Sequence, residues 1–263
     1  MEVVNVDNFK LLDLEGKGTA EAYWLSDGSS RYVFKIEGLD SIYNEVLAYI
    51  LAKQLGIRSA PCVVAERDGV LGVLSQDVNV YGVEMCNLIE GYPAFEIYGG
   101  NGYTLDSFLT YTDDVIKTGY HMEIKSIVNM FLFDYLIDNR DRHRGNIGID
   151  MLTGDLAPLY DNAASFTMLG GDTPSLVYCN QLKRNLLQKE VLPHLWGKCL
   201  LQFNNYGLDF CIRAEEHLDF YVALFEMLPV MERWRHDRYI EEYGDSFMER
   251  YEEIQSLART GET

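Results

Sequence analysis

The sequence predicts an α+β chain of two lobes, a strand-rich one over residues 1–100 and a helix-rich one over 101–263. Three observations carry this. Short β-favouring runs joined by turn residues fill the first part of the chain, and long apolar stripes at helical spacing dominate the second. A length of 263 residues with 48% hydrophobic content is enough to bury the core of one large domain or two lobes.

The elements follow in order. EAYWLS and RYVFKIEG are strands joined by the hairpin signal DGSS. SIYNEVLAYILAKQLGI sets Ile42, Val46 and Ile50 at helical spacing, with Ser41 the expected N-cap and Gly56 the stop. APCVVAERDGVLGVLSQDV returns to strand character through a turn at Asp68-Gly69. The three glycines of IYGGNGYTLDS mark the expected connection between lobes, its alternative being a long surface loop. HMEIKSIVNMFLFDYLID then lines up Ile124, Ile127, Val128, Phe131 and Tyr135 as a core helix. NIGID and LAPLYD, separated by MLTG, read as a hairpin. From Ala214, the residues Leu218, Tyr221, Phe225 and Leu228 are expected to form one stripe of a helix that Pro229 ends, and a last helix runs through RYIEEYGDSFMERYEEIQSLA unless Gly244 breaks it.

Charge and cysteines exclude several classes of function. The 41 acids against 22 bases give a net charge of -19, which repels phosphate backbones and anionic lipid, so direct nucleic-acid or membrane binding is not expected. Five isolated cysteines without a C-x-x-C pair suit a reduced interior. MEVVNVDNFK has no basic leader region, and no apolar run approaches the length of a membrane span; the expected location is the cytoplasm.

Against this ordinary background stands YLIDNRDRHRGNIGID, with three acids, three arginines, a histidine and two asparagines between a helix and a strand. Asn146 stands just before the outgoing strand of the expected hairpin and Asp161 closes the returning one, so antiparallel pairing brings an amide oxygen and a carboxylate together. Such hard oxygen ligands suit Mg²⁺ shared with nucleotide phosphates. Asp141, five positions earlier on the same loop, is then placed to meet a hydroxyl nucleophile, which is the order of parts that phosphoryl transfer uses. Each residue alone also has a purely structural reading: Asp141 as a helix terminator, Asn146 in a left-handed turn, Asp161 in an Asx-turn with the backbone of Ala163. The combination with the hairpin and YDNAASF favours the catalytic reading. His143 is expected to hold the loop by hydrogen bonds rather than to act as the base, and Arg140, Arg142 and Arg144 to form a solvated or ion-paired face.

FDYLIDNRDRHRGNIGID followed by LAPLYDNAASF resembles the catalytic and metal-binding segments of the HipA-like serine/threonine kinases, a bacterial branch of the protein-kinase-like fold. Their N-x-D-x-H-x-x-N loop is matched by Asn139, Asp141, His143 and Asn146, and their P-x-Y/F-D segment by Pro158, Tyr160 and Asp161. The resemblance extends more weakly through YVFKIEG and NEVLAYILAKQLGIRSAP, covering residues 10–170; the remainder is helical without a matching motif.

The resemblance implies a two-lobed protein-kinase-like fold with ATP held between the lobes and Mg²⁺, or Mn²⁺, at Asn146 and Asp161. Lys35, on an alternating strand, is either a solvent-facing lysine or a cleft charge for the α- and β-phosphates, and Glu45 is the acid expected to hold it, with Glu37 as rival. Gly16 and Gly18 in LEGKGTAEAYW offer a small phosphate-covering turn through backbone amides, as readily read as a bare hairpin bend. HipA toxins of the longer type carry an additional N-terminal subdomain that this sequence does not match, so either a compact variant or a companion chain that supplies the remainder is expected; a cognate antitoxin is a separate partner that the resemblance implies.

Three functions compete. The first is an ATP-dependent kinase acting on a Ser or Thr of a protein substrate. The second is a small-molecule phosphotransferase of the aminoglycoside type, which the acidic charge keeps open. The third is a pseudokinase that binds partners without catalysis, against which the retention of Lys35, Asp141, Asn146 and Asp161 argues.

Overall fold

The computed structural model describes residues 1–13, 21–78, 85–87, 123–139, 142, 148–150, 155–166 and 206–259. Within them, a six-stranded sheet is assembled from β1 (Val4–Asn5), β2 (Lys10–Leu11), β3 (Glu21–Ser26), β4 (Arg31–Ile36), β5 (Cys62–Arg67) and β6 (Val70–Gln76), in the spatial order β1-β5-β6-β4-β3-β2. All pairings are antiparallel except β1 with β5. The β3–β4 turn is held by the Asp27 carboxylate, which accepts from the amides of Ser29 and Ser30 at 2.8 and 2.7 Å. The β5–β6 turn puts both Asp68 and Gly69 at positive φ, 51° and 77°, the geometry that matches a two-residue hairpin to strand twist.

The two faces of this sheet bury different things. Phe34, opposite Tyr23 and Leu74, points into a small cluster with Val6, Leu25 and Ala65. Val73, opposite Lys35, belongs instead to the main core beneath α1 (Leu39–Gln54). Successive side chains alternate, so Lys35 lies on the α1 face.

Helix α1 starts two residues before the expected cap. Gly38 occupies the N-cap position in extended conformation, and Ser41 lies inside the helix. The earlier start lets Leu39 pack on the core and places Asp40 in the first turn, where its carboxylate is paired with Arg235. The expected stop holds: Gly56 at φ +63° closes a Schellman motif, with Ile57 N–H donating to Ala52 C=O at 2.8 Å and Gly56 N–H to Lys53 C=O at 3.1 Å.

A second helix, α2 (Ile124–Leu136), carries Val128, Phe131 and Tyr135 into the core. It ends at Asp138, φ +51°, with Asn139 N–H donating to Asp134 C=O at 2.8 Å and Asp138 N–H to Tyr135 C=O at 3.2 Å. Helix termination therefore falls to Asp138, three positions before Asp141. The strand β8 (Gly148–Asp150) pairs with β7 (Met85–Asn87). The returning leg of the expected hairpin touches it through Ala157 N–H to Gly148 C=O at 2.9 Å.

The C-terminal arm departs from expectation in phase. After a helical stretch α3 (206–217), the Asp219 carboxylate accepts from Val222 N–H and starts a separate helix, α4 (Phe220–Met227). Its buried face is Phe220, Ala223, Leu224 and Met227, while Tyr221 and Phe225 of the expected stripe are exposed and Leu218 lies between helices. The cap starts a new helix whose i, i+3, i+4, i+7 set, rather than the expected stripe, faces the core. Gly244 does not break the last helix. A π-helical turn at Ile240–Gly244 joins α5 (Arg233–Tyr239) to α6 (Asp245–Arg259), and a Cβ at Gly244 would lie 3.2 Å from the Tyr221 hydroxyl. The expected lobe connection IYGGNGYTLDS lies outside the described residues.

Candidate active site

The site is built where β4, α1 and residues 155–166 meet. Lys35 Nζ donates to Asp161 Oδ1 at 2.6 Å, the only ion pair of Lys35 among the described residues. Burial alone would lower the lysine pKa, but Asp161, and behind it Glu45 and Glu37, raise it, so the ammonium stays charged. Asp161 is in the left-handed region, φ +60°, and its other oxygen has no protein partner among the described residues.

Glu45 is not the direct partner of Lys35. It is 3% exposed on α1, and burial pushes its carboxyl up to about 7 against the pull of Lys35 and of a hydrogen bond from the Asn162 main-chain amide. Its Oε2 is buried without a hydrogen-bond partner. The lysine pairs with the more exposed carboxylate of Asp161 rather than with the buried one of Glu45, whose charged form burial disfavours. Burial also raises Glu37, the rival acid, and it too leaves Oε2 unpartnered.

The segment carrying Asp161 is pinned on several sides. Leu159 bridges Ser59 in parallel, with Ala60 N–H on Leu159 C=O at 2.7 Å and Leu159 N–H on Arg58 C=O at 2.9 Å. Asn44 of α1 donates to Ala163 C=O at 3.0 Å, and its Oδ1 accepts from the Tyr239 hydroxyl at 2.6 Å. Phe166 N–H returns to Ile137 C=O at 2.8 Å, and its fully buried ring sits among Phe220, Tyr239 and Tyr243. The Asp161 carboxylate makes no Asx-turn with Ala163; it is spent on Lys35.

A buried ion pair completes the frame. Arg142 is 4% exposed and forks onto Asp134 of α2, Nε to Oδ2 and one terminal nitrogen to Oδ1, both at 2.9 Å. Of the two readings expected for the arginines, solvated or ion-paired, Arg142 takes the ion-paired one, and it does so buried. An aspartate within the apolar run MFLFDYL must be paired when buried, and the nearby arginine is the group that can do it.

No group of three or more His, Cys, Asp and Glu side chains among the described residues could hold a metal ion. Mg²⁺ does not need one. It is held by one or two protein oxygens plus phosphates and water, and the unpartnered oxygen of Asp161 fits that donor set. Asp141, His143, Asn146, Gly16 and Gly18 lie outside the described residues.

A family model described as HipA-like C-terminal domain matches residues 10–216. The chain belongs to this family. Among solved structures, the HipA-like chain is similar to the proinflammatory kinase CtkA of Helicobacter pylori, at 17% identity and TM-score 0.68 with 98% of each chain covered. It is also similar to HipA of Shewanella oneidensis MR-1, solved with HipB and operator DNA, at 14% identity and TM-score 0.51, covering 95% of this chain and 66% of that one. No curated protein matches it in sequence. The fold is the α+β kinase-like one, and family and fold together support phosphoryl transfer as the broad class of activity. No helix of the HipA-like domain among the described residues is long and apolar enough to cross a membrane.

The residues missed by sequence reasoning are those that hold the HipA-like site rather than those expected to work in it. Asn44, Asp134 and Asn162 are buried polar groups at 5%, 6% and 1% exposure, beside Asn139 of the loop motif at 1%. The one legible signal was Asp134, an acid on a core helix.

Proposed function

We propose that this chain is an ATP-dependent kinase that phosphorylates a Ser or Thr hydroxyl of a protein. The observation that carries the reading is the Lys35–Asp161 contact at 2.6 Å, which joins the sheet to the segment of the metal-binding motif and leaves one Asp161 oxygen open. In this reading Lys35 turns to the α- and β-phosphates when nucleotide enters, and Asp161 with Asn146 holds Mg²⁺ or Mn²⁺. The metal would neutralise charge on the phosphates. Backbone amides around Gly16 and Gly18 cover the phosphates, Glu45 braces the back of the lysine, and His143 holds the loop.

Asp141 orients the acceptor. The hydroxyl oxygen forms a bond to the γ-phosphorus, the bond from that phosphorus to the β–γ bridging oxygen breaks, ADP leaves with the electron pair, and the hydroxyl proton passes to Asp141. Most of the barrier is lowered by position and charge rather than by proton abstraction, which suits a weak carboxylate base.

A companion chain of antitoxin type is part of the proposal, since the similar Shewanella HipA was solved with HipB. Nothing in a net charge of -19 favours direct contact with DNA, and the five isolated cysteines support a reduced, cytoplasmic location. Incubation with γ-labelled ATP and Mg²⁺, alone and with cell extract, tests the proposal. Label on a protein supports it. Label confined to a small cation selects the aminoglycoside-type alternative, and nucleotide binding without transfer selects a partner-binding pseudokinase.

A further inference from the structure

The guanidinium of Arg142 does more than neutralise Asp134. Beyond the fork, one terminal nitrogen donates to Tyr160 C=O at 2.9 Å, and the other donates to Asn162 Oδ1 at 2.5 Å as well as to Asp134. Tyr160 and Asn162 are the two neighbours of Asp161 in the chain, and Arg142 itself stands between Asp141 and His143. One buried side chain therefore grips both flanks of the metal-motif acid while sitting beside the expected base.

Physical chemistry gives this arrangement a purpose beyond stability. A buried ion pair is a weak stabiliser, because desolvation offsets its attraction and well-packed apolar residues of similar volume serve as well. Its bonds are nonetheless directional, and only a planar fork reaches three acceptors at fixed angles; a lysine is a point charge on a flexible stem. Asp161 also needs such restraint, since its left-handed backbone is unfavourable for a residue with a Cβ and persists only where the surroundings impose it.

We propose that Arg142, anchored by Asp134, is a positioning residue that sets the placement of Asp161 through Tyr160 and Asn162. For its effect on turnover the proposal rests on the kinase reading above; for its effect on local order it does not. The test replaces the pair by apolar residues of similar size, Asp134→Leu with Arg142→Met, and follows amide hydrogen exchange segment by segment. Global stability is expected to fall, since Tyr160 C=O, Asn162 Oδ1 and the Asn139 side-chain amide lose buried partners, while amides 160–166 exchange about 10-fold faster or more beyond that global change. Amides of α6 should follow the global change alone. Turnover with ATP should fall about 100-fold, as a misplacement of near 1 Å produces.

Exchange in 160–166 that rises no more than it does in α6 overturns the proposal, because a merely structural pair lowers stability everywhere alike. If the double variant fails to fold, Arg142→Lys, which keeps the charge and loses the fork, is read by the same local exchange with the same two outcomes. A wild-type protein that transfers no phosphate would sink the kinase reading alone and leave the exchange result to decide this one.

Discussion

Lys35 and Asp161, 126 residues apart in sequence, meet at 2.6 Å, and they do so because one lies on the α1 face of β4 while the other is held in a left-handed turn facing it. In the kinase reading the contact lets the two residues act as one unit. Lys35→Met is expected to reduce transfer about 100- to 1,000-fold, the usual effect of removing one preorganised charge from a phosphoryl site. The fold should survive, since Lys35 belongs to neither apolar cluster. Asp161→Ala should abolish the Mg²⁺-dependent part of a thermal shift by ATP. The double variant should lose less than the sum of the single losses; strict additivity in kcat/KM would separate the two residues.

Glu45 gives a pH dependence with a definite sign. Its carboxyl lies near 7 in the folded chain, through burial first, against Lys35 and the Asn162 amide, with Asp161 raising it and Arg142 lowering it; its ordinary value is 4.5. A raised folded value means that the native state holds the proton more tightly than the unfolded one. Stability is therefore full below about 4.5 and declines as pH rises toward 7, by about 3 kcal/mol at most. Glu45→Gln should flatten this slope and be the more stable protein at pH 8. Urea unfolding of both proteins across this range checks it, and equal slopes would contradict the buried, protonated state.

Gly72 supports the lysine strand from behind. A Cβ there would lie 2.5 Å from Lys35 C=O and 2.7 Å from the Phe34 ring, so β4 would have to move. Gly72→Ala is expected to destabilise by about 1–3 kcal/mol through overpacking and to weaken ATP binding with it. Unfolding and nucleotide titration of the variant measure both; an unchanged ATP affinity would show that the position of β4 is not critical.

Much of this was legible in the sequence because local chemistry and tertiary demand agree. The DGSS and Asp68-Gly69 turns, the Gly56 stop and the core stripe of α2 are such cases. The C-terminal arm was not, because a single side-chain cap at Asp219 shifted the phase of α4 and turned Tyr221 and Phe225 outward. At Gly244, widening into a π-turn lets the chain keep a continuous helix past a poor helix former. At the site, Lys35 and Asp161 were identifiable as types and positions, whereas the choice of Asp161 over Glu45 as direct partner depends on how deeply α1 buries its acid. For Arg142 the ion-paired alternative holds, while its depth was not legible for a similar reason: the buried acid that claims it lies on another element.

The central claim is phosphoryl transfer at this site, and Asp141 tests it most directly because its expected contact is with the acceptor rather than with the nucleotide. The decisive measurement is label transfer from γ-labelled ATP to protein in the presence of Mg²⁺ by the wild type and by Asp141→Asn, with ATP binding followed in parallel by thermal shift. The wild type should label protein, and the variant should bind ATP with a shift close to wild type while losing transfer by about 100-fold or more. Transfer to protein that persists at the wild-type rate in Asp141→Asn, or its absence from a nucleotide-binding wild type, would contradict the account.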